Sequence, residues 1–463
     1  MSVWQKDSQS TKFVYFLLAG ISIIFPLPQQ ASAADLTTLN VAVARALRNN
    51  HEMIALKNSL ASHKEDIGIA RSNLMPKLTL EERFLRTNNP TYVFMSKLNQ
   101  KRFTMQDFDI GSLNDPAPES DFQTSLTVFQ PILAMQAAIG IDMSETAYAA
   151  TKEEFFRRQE ALALQVAQTY LMAQMAEEYK LVAQKGVEDA AEHLRIAKLS
   201  FDNGLGLYAD TLRAATAVTE AEQKLVTADK NLKVAQRSLG LLLGLEQSSI
   251  IPADDDLDLM LHDLDFYTKN AEARRDIQAM QLHFENAMNN IRLNEAAYIP
   301  TLGVGSSYQL NDKELPFGSD GESWQVIAMF KWELFDGSKR YHEKQKAHYQ
   351  VAETRELLAQ LMDAASFQVY QTYLEVEEAR KNFDLARSAL TTAQEGQRLV
   401  RLRYENSLSP LVDLLDAQVS LDQARTDVLV RKKEQQLATL KLCFESGIIL
   451  QELGVEALSS ETN

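Results

Sequence analysis

The chain has 463 residues and a formal charge of −16, from 47 basic and 63 acidic side chains. That acidic excess argues against a nucleic-acid partner, which selects basic faces. With Cys443 as its one cysteine the chain can form no internal disulfide, and Cys443, inside an apolar helical stretch, reads as a small core residue rather than a reactive thiol.

At the N-terminus Lys6 and Lys12 precede an apolar run over 13–27, followed by Ala31-Ser32-Ala33. This is the order of a secretory leader, assigned to residues 1–33. The run is about 15 residues long, short of the about 20 that a spanning helix needs. No cysteine lies near the cleavage site to carry a lipid. Beyond the leader no run of about 18 consecutive apolar residues occurs, so a membrane crossing would require a closed barrel, which leaves no sheet edge in lipid.

The remaining chain repeats itself. Gln168-Thr169-Tyr170-Leu171 recurs 203 residues later as Gln371-Thr372-Tyr373-Leu374. The same offset carries Asn203 onto Asn406, Leu205 onto Leu408, Asp210 onto Asp413, Leu212 onto Leu415, Ala214 onto Ala417 and Gly244 onto Gly447. Self-similarity of this kind marks a duplication, with a first structural repeat at 34–251 and a second at 252–463. Each copy reads helix, short strand, loop, short strand, very long helix, turn, long helix. Strands are expected after Pro76 and Pro300, and a longer loop over 87–121 in the first copy, where Asn88-Asn89-Pro90, Asn114-Asp115-Pro116 and Pro118 supply turn chemistry. No proline interrupts 132–251 or 317–409, which permits long helices there. One helix over about 133–201 would be about 100 Å long.

In the second long helix Val369, Tyr373, Val376, Phe383, Ala386, Leu390 and Ala393 form a narrow apolar seam, suited to knobs-into-holes packing. The strands show period two. Leu126 and Val128 alternate with Ser125 and Thr127, and Leu302 and Val304 with Thr301, Gly303, Gly305 and Ser307. Trp324, Val326, Ala328, Phe330 and Trp332 alternate with Gln325, Ile327, Met329, Lys331 and Glu333, with aromatics at both ends of the apolar face as in the girdles of a membrane barrel. A soluble sandwich is the competing reading of these strands. Four strands cannot close a membrane barrel, so identical chains in cyclic symmetry would have to pool them.

Together with the strand-to-helix passages Phe129-Gln130-Pro131-Ile132 and Trp332-Glu333-Leu334-Phe335-Asp336-Gly337, and above all the segment Tyr404-Glu405-Asn406-Ser407-Leu408-Ser409-Pro410-Leu411-Val412-Asp413-Leu414-Leu415-Asp416-Ala417, this plan resembles the TolC-like outer membrane efflux proteins over nearly all of the mature length. The resemblance implies a mainly α fold with a small β part: a transmembrane β-barrel of twelve strands pooled by a homotrimer in outer-membrane lipid, continued by a periplasmic α-helical barrel. It implies an efflux or type I secretion channel, docked by a periplasmic adaptor and an inner-membrane transporter. It places a pore constriction at Asp413 and Asp416, a gate latch at Tyr404 and Asp210, and adaptor-contacting tips at Asn203, Gly204, Asn406 and Ser407. The family's basic latch position falls on Ser409, which argues against a salt-bridge lock there. Asp413 also suits a helix first turn, where the dipole favours a carboxylate.

No catalytic constellation accompanies this pattern. His51, His63, His193, His262, His283, His342 and His348 show no metal-ligand spacing, and no nucleophile elbow, phosphate loop or dinucleotide fingerprint occurs. No cofactor is expected. The competing class is a periplasmic adaptor or structural coiled-coil protein; the duplicated hairpin interrupted by strands argues against it.

Overall fold

The computed structural model describes residues 36–245, 250–253, 257, 259–406 and 408–459. The leader assigned to 1–33 and the tip residue Ser407 lie outside the described residues. In chain order the elements are β1 (Leu36–Thr37), α1 (Leu39–Asn49), α2 (His51–Ser72), β2 (Lys77–Thr87), α3 (Pro90–Asn99), α4 (Ile110–Asn114), β3 (Glu119–Leu133), α5 (Met135–Asp202), α6 (Tyr208–Leu242), β4 (Ile251–Pro252), α7 (Leu264–Ala271), α8 (Arg275–Ala296), β5 (Thr301–Asp312), β6 (Gly321–Lys331), α9 (Lys339–Glu405), α10 (Leu411–Glu445) and α11 (Ile449–Glu452).

Two helical hairpins dominate. Helices α5 and α9 have 68 and 67 residues, roughly 100 Å each, and each returns through a 35-residue helix, α6 or α10. The seam read from the sequence points inward: Val369 and Val376 are buried, Tyr373 packs against the same core, and Phe383, Ala386, Leu390 and Ala393 are half-buried. Among the described residues no helix is long and apolar enough to cross a membrane.

The main core lies part-way along the hairpins. There α1, the parallel pair β1–β4, α7 and α11 wrap the middle of α5 and the ends of α6 and α10. Tyr170 is fully buried, and its hydroxyl donates within 3.0 Å of the Thr37 carbonyl and 3.1 Å of the Ala253 carbonyl, tying α5 to the small parallel pair. Cys443 sits in this core, 2% exposed, and burial pushes its thiol up to about 12.

Away from this core β2, β3, β5 and β6 form one antiparallel sheet in that order, so the edges β2 and β6 are unpaired among the described residues. No second sheet packs on it among the described residues, so they form no sandwich within one chain. Strands of 11 to 15 residues suit a tilted crossing, which takes about 9–11. Paired residues share a face. One face carries Leu80, Leu126, Tyr308 and Trp324 at one level and Leu78, Val128, Ser306 and Val326 at the next. The opposite face carries Thr79, Thr127, Ser307 and Gln325, with Glu81 and Ser125 beside them. The Phe129 ring lies across Gly303 and Gly305 on this polar face, and a Cβ at Gly303 would come within 2.5 Å of it.

Two details differ from the sequence reading. β6 ends at Lys331, so Trp332 and Glu333 lie beyond the strand. The Trp332 indole donates instead to the Tyr298 carbonyl at 3.1 Å. Gly337 and Ser338, both at positive φ, then turn the chain into α9, where Asp336 accepts from the Arg340 backbone and guanidinium at 2.9 Å. The second difference is the long first-copy loop, which holds α3, a 3-10 turn at Met105–Phe108 and α4.

Gly244 ends α6 at φ +72°, and a Cβ there would stand 2.5 Å from the Asn49 carbonyl oxygen, against α1. Gly204 has a similar φ, +70°, and open space around it. Gly204→Ala should therefore cost only backbone strain, about 1 kcal/mol, and Gly244→Ala about 2–3 kcal/mol through strain plus collision. Thermal inactivation midpoints check this: Gly244→Ala should fall several degrees below Gly204→Ala, and equal midpoints would contradict the close approach.

Candidate functional site

The hairpin tips gather the residues singled out in the sequence. The first hairpin turns through a Schellman arrangement: the Leu205 N–H donates to the Ser200 carbonyl at 2.9 Å and the Gly204 N–H to Phe201 at 2.9 Å, with Gly204 in the left-handed region. Asn203 adds a side-chain bond to the Leu199 carbonyl at 2.8 Å. In the second hairpin the Leu408 N–H donates to Arg403 at 2.8 Å, and the Asn406 side chain donates to Leu402 at 2.7 Å. Both turns thus place Asn203, Gly204 and Asn406 at the far end of the molecule. Exposed Leu205, Leu207 and Leu408 flank them.

A small apolar cluster joins the two hairpins just behind the turns, separate from the main core. Ala197 of α5, Ala214 of α6, and Leu411 and Leu414 of α10 are buried, with Leu194, Val400, Tyr404 and Leu415 packed around them. The small side chains at Ala197 and Ala214 let the helices approach closely. Tyr404 therefore closes this cluster from α9. Burial, helped by the nearby Asp210 charge, raises its hydroxyl pKa, against a smaller lowering by the Ser200 side chain. Asp210, in the first turn of α6 in the other hairpin, is near enough for its charge to act on that hydroxyl.

Asp413 and Asp416 occupy the first two turns of α10, and both are exposed. Three residues apart, they share one helix face. Asp413 makes no side-chain hydrogen bond among the described residues, and the N-cap, Pro410, has no side-chain cap. Ser409 has a buried hydroxyl without a hydrogen-bond partner among the described residues. A basic side chain is absent at that position, as the sequence indicates.

One layer further from the tips lies a polar contact set that sequence spacing did not expose. The Gln418 amide donates to Asp422 at 2.9 Å and to Asp189 at 3.3 Å, while its oxygen faces His193 Nε2 at 3.3 Å and accepts from Gln397 at 3.1 Å. Arg425 bridges Asp189 at 3.1 Å and Asp422 at 3.3 Å. Burial and the Asp189 charge raise the Asp422 carboxyl pKa, partly offset by Gln418 and Arg425. Three helices, α5, α9 and α10, meet through this one amide. Only the 203-residue correspondence could have hinted that 189–193 and 397 lie at one height, and it gives no azimuth. Among the described residues no group of three side chains could hold a metal ion.

A long-helix plan with a four-stranded sheet and acidic tips can be compared with known proteins. A profile of the outer membrane efflux proteins matches residues 42–245 and 267–444, most of the chain. The chain belongs to the outer membrane efflux protein family. Its members are channels of the outer membrane, not enzymes. Outer membrane efflux protein BepC of Brucella suis biovar 1 (strain 1330) is 20% identical over 420 residues, covering 87% of this chain and 85% of the relative. A membrane protein from Pseudomonas aeruginosa superposes with a TM-score of 0.75 at 19% identity, over 88% of this chain and 90% of that one. The Campylobacter jejuni CmeC outer membrane channel gives 0.72 at 16% identity, over 89% and 86%. At such identities the solved structures establish a shared fold.

Leu414 is fully buried between the hairpins. Leu414→Ala should cost about 2–4 kcal/mol of local packing. Limited proteolysis would show it as faster cleavage at the tips with unchanged helix content by circular dichroism. An unaltered cleavage rate would mean the apolar cluster does not hold the hairpins together.

Proposed function

We propose that this member of the family is the outer-membrane duct of a tripartite efflux or type I secretion system, working as a homotrimer that conducts solutes from a periplasmic mouth to the exterior. The observation that carries this reading is the four-stranded sheet with one apolar face, one polar face and two open edges. Water can satisfy an open edge, but lipid cannot. Closure by three chains gives twelve strands, and the polar face then lines the pore. The long hairpins continue beneath as a periplasmic helical barrel. Residues 34–251 and 252–463 act as two repeats of one unit, exported by the leader at 1–33. Paired helix lengths support this, as do helix-ending backbone bonds that follow the same 203-residue offset: Leu245 to Gly240 after α6 and Ile448 to Cys443 after α10.

In this assembly Asp413 and Asp416 stack as two rings of three carboxylates at the mouth. Their exposure within one chain leaves them available to a pore, and such rings favour cations. Tyr404 and Asp210 latch one hairpin to the other. Asn203, Gly204, Asn406 and Ser407 form the surface that a periplasmic adaptor contacts, with an inner-membrane transporter beyond it. Adaptor docking rotates the α9–α10 hairpin, breaks the small cluster around Leu414 and draws the rings apart. No cofactor takes part, and energy enters through the partner transporter.

Asp413→Ala combined with Asp416→Ala should raise single-channel conductance in planar bilayers and lower cation preference. Leu414→Ala should raise conductance and leave that preference intact. Unchanged conductance and selectivity in the double variant would remove the ring assignment.

A further inference from the structure

The insert between β2 and β3, residues 88–118, does not extend outward from the strand ends. It folds back over the polar face of the sheet. Asp121, Asn311 and Gly321 lie on that face on three successive strands. The Gln100 amide at the end of α3 donates to Asp121 at 2.8 Å, and Asn311 donates to both Asp121 oxygens at 3.1 and 3.0 Å. All three side chains are at most 3% exposed. A Cβ at Gly321 would fall 1.8 Å from the Asn99 carbonyl oxygen, so only glycine lets α3 seat there. Arg102 pairs with Glu119 at 2.6 Å and completes the attachment.

α3 buries Val93, Ser96 and Gln100 toward the sheet. Away from the sheet the insert exposes Tyr92, Met95, Met105, Phe108 and Ile110, with Met105 83% and Ile110 74% exposed. Phe103 stacks edge-on against Phe94 and Phe108, at 4.9 and 5.1 Å, which gives the insert a small core of its own. A free apolar surface on the water side of a channel wall is unfavourable unless something covers it.

We propose that two symmetry copies of the same insert cover it, so that three inserts meet inside the barrel and form an apolar constriction at the external mouth. This rests on the proposed trimeric barrel. A twelve-stranded barrel is about 24 Å across between backbones, given strand spacing of about 4.8 Å and tilt of about 40°. A helix with side chains is about 10 Å wide. Three inserts held on the inner wall therefore fill the bore, and their exposed apolar side chains face one another near the axis. The channel would then carry two constrictions of opposite chemistry: carboxylates at the helix tips, and a dewetting apolar seal outside.

The test uses intact cells carrying the full chain and a maleimide coupled to a polyethylene glycol too bulky to reach the periplasm. Cys443 stays silent, buried and protonated. Leu315→Cys, 63% exposed in the β5–β6 turn, reports the outer surface; Gln325→Cys, on the polar face below the insert, reports the bore. We expect Leu315→Cys to label readily and Gln325→Cys at under about a tenth of that rate, as for a site behind a steric constriction. Replacing residues 91–115 by a short Gly-Ser turn should bring the two rates together. Met105→Cys in the otherwise intact insert should join subunits through a bifunctional maleimide, which keeps the test valid if the shortened chain does not assemble. Equal labelling of Leu315→Cys and Gln325→Cys with the insert intact, or trimers that never cross-link through Met105→Cys, would overturn the seal. Failure of Leu315→Cys to label at all would instead overturn the barrel beneath it.

Discussion

The sheet's two open edges govern the rest of the molecule. β2 and β6 each present a row of backbone N–H and C=O groups without strand partners among the described residues, beside a face of Leu, Val, Phe and Trp side chains. Such a surface is stable neither in water nor, alone, in lipid. Edge pairing between copies resolves both problems at once. In the proposed barrel the apolar face turns outward, the polar face turns inward, and the helices that follow β3 and β6, entered at Ala134 and through the Gly337–Ser338 turn, are carried into a ring. In this account the hairpins can afford a weak mutual contact at their tips because the barrel and the main core already hold them in register.

That division of labour matches the unequal packing of the two regions. The core around Tyr170 draws on eight helices, α1, α2, α5, α6, α7, α9, α10 and α11, with Leu39, Leu239 and Leu440 fully buried. The tip cluster has four buried residues, two of them alanines. Apolar stabilisation scales with buried area, so the tips are the cheaper place to separate. Around them the hairpins are joined by ion pairs and amides, Arg425 with Asp189 and Gln418 with His193.

Much of this was legible in the residues. Proline-free spans permitted helices as long as α5 and α9, because proline is the one side chain a helix interior rejects strongly, and the 203-residue correspondence aligned the turns at Asn203 and Asn406. The tip residues Tyr404, Asp210, Asp413 and Asp416 were found through resemblance. Strand ends were less legible. Period-two alternation holds where the sheet has one apolar and one polar face, but Trp332 continues the pattern after the strand has ended, held by Tyr298 rather than by a ladder bond. The insert over 88–118 carried turn signals only. Its helices are short, and their direction depends on Gln100 reaching Asp121 and on Gly321 lacking a Cβ, facts of three dimensions. The Gln418 layer escaped for the same reason: its partners come from separate helices whose rotation no single-chain periodicity defines.

The account stands or falls on how many chains share one sheet. Native mass spectrometry of the mature protein, released from outer membranes in mild detergent, counts them directly. Three copies per particle, resistant to dissociation until heated, is the outcome expected of a closed twelve-stranded cylinder. A lone chain, dispersed in buffer without detergent and keeping its strands, would contradict it.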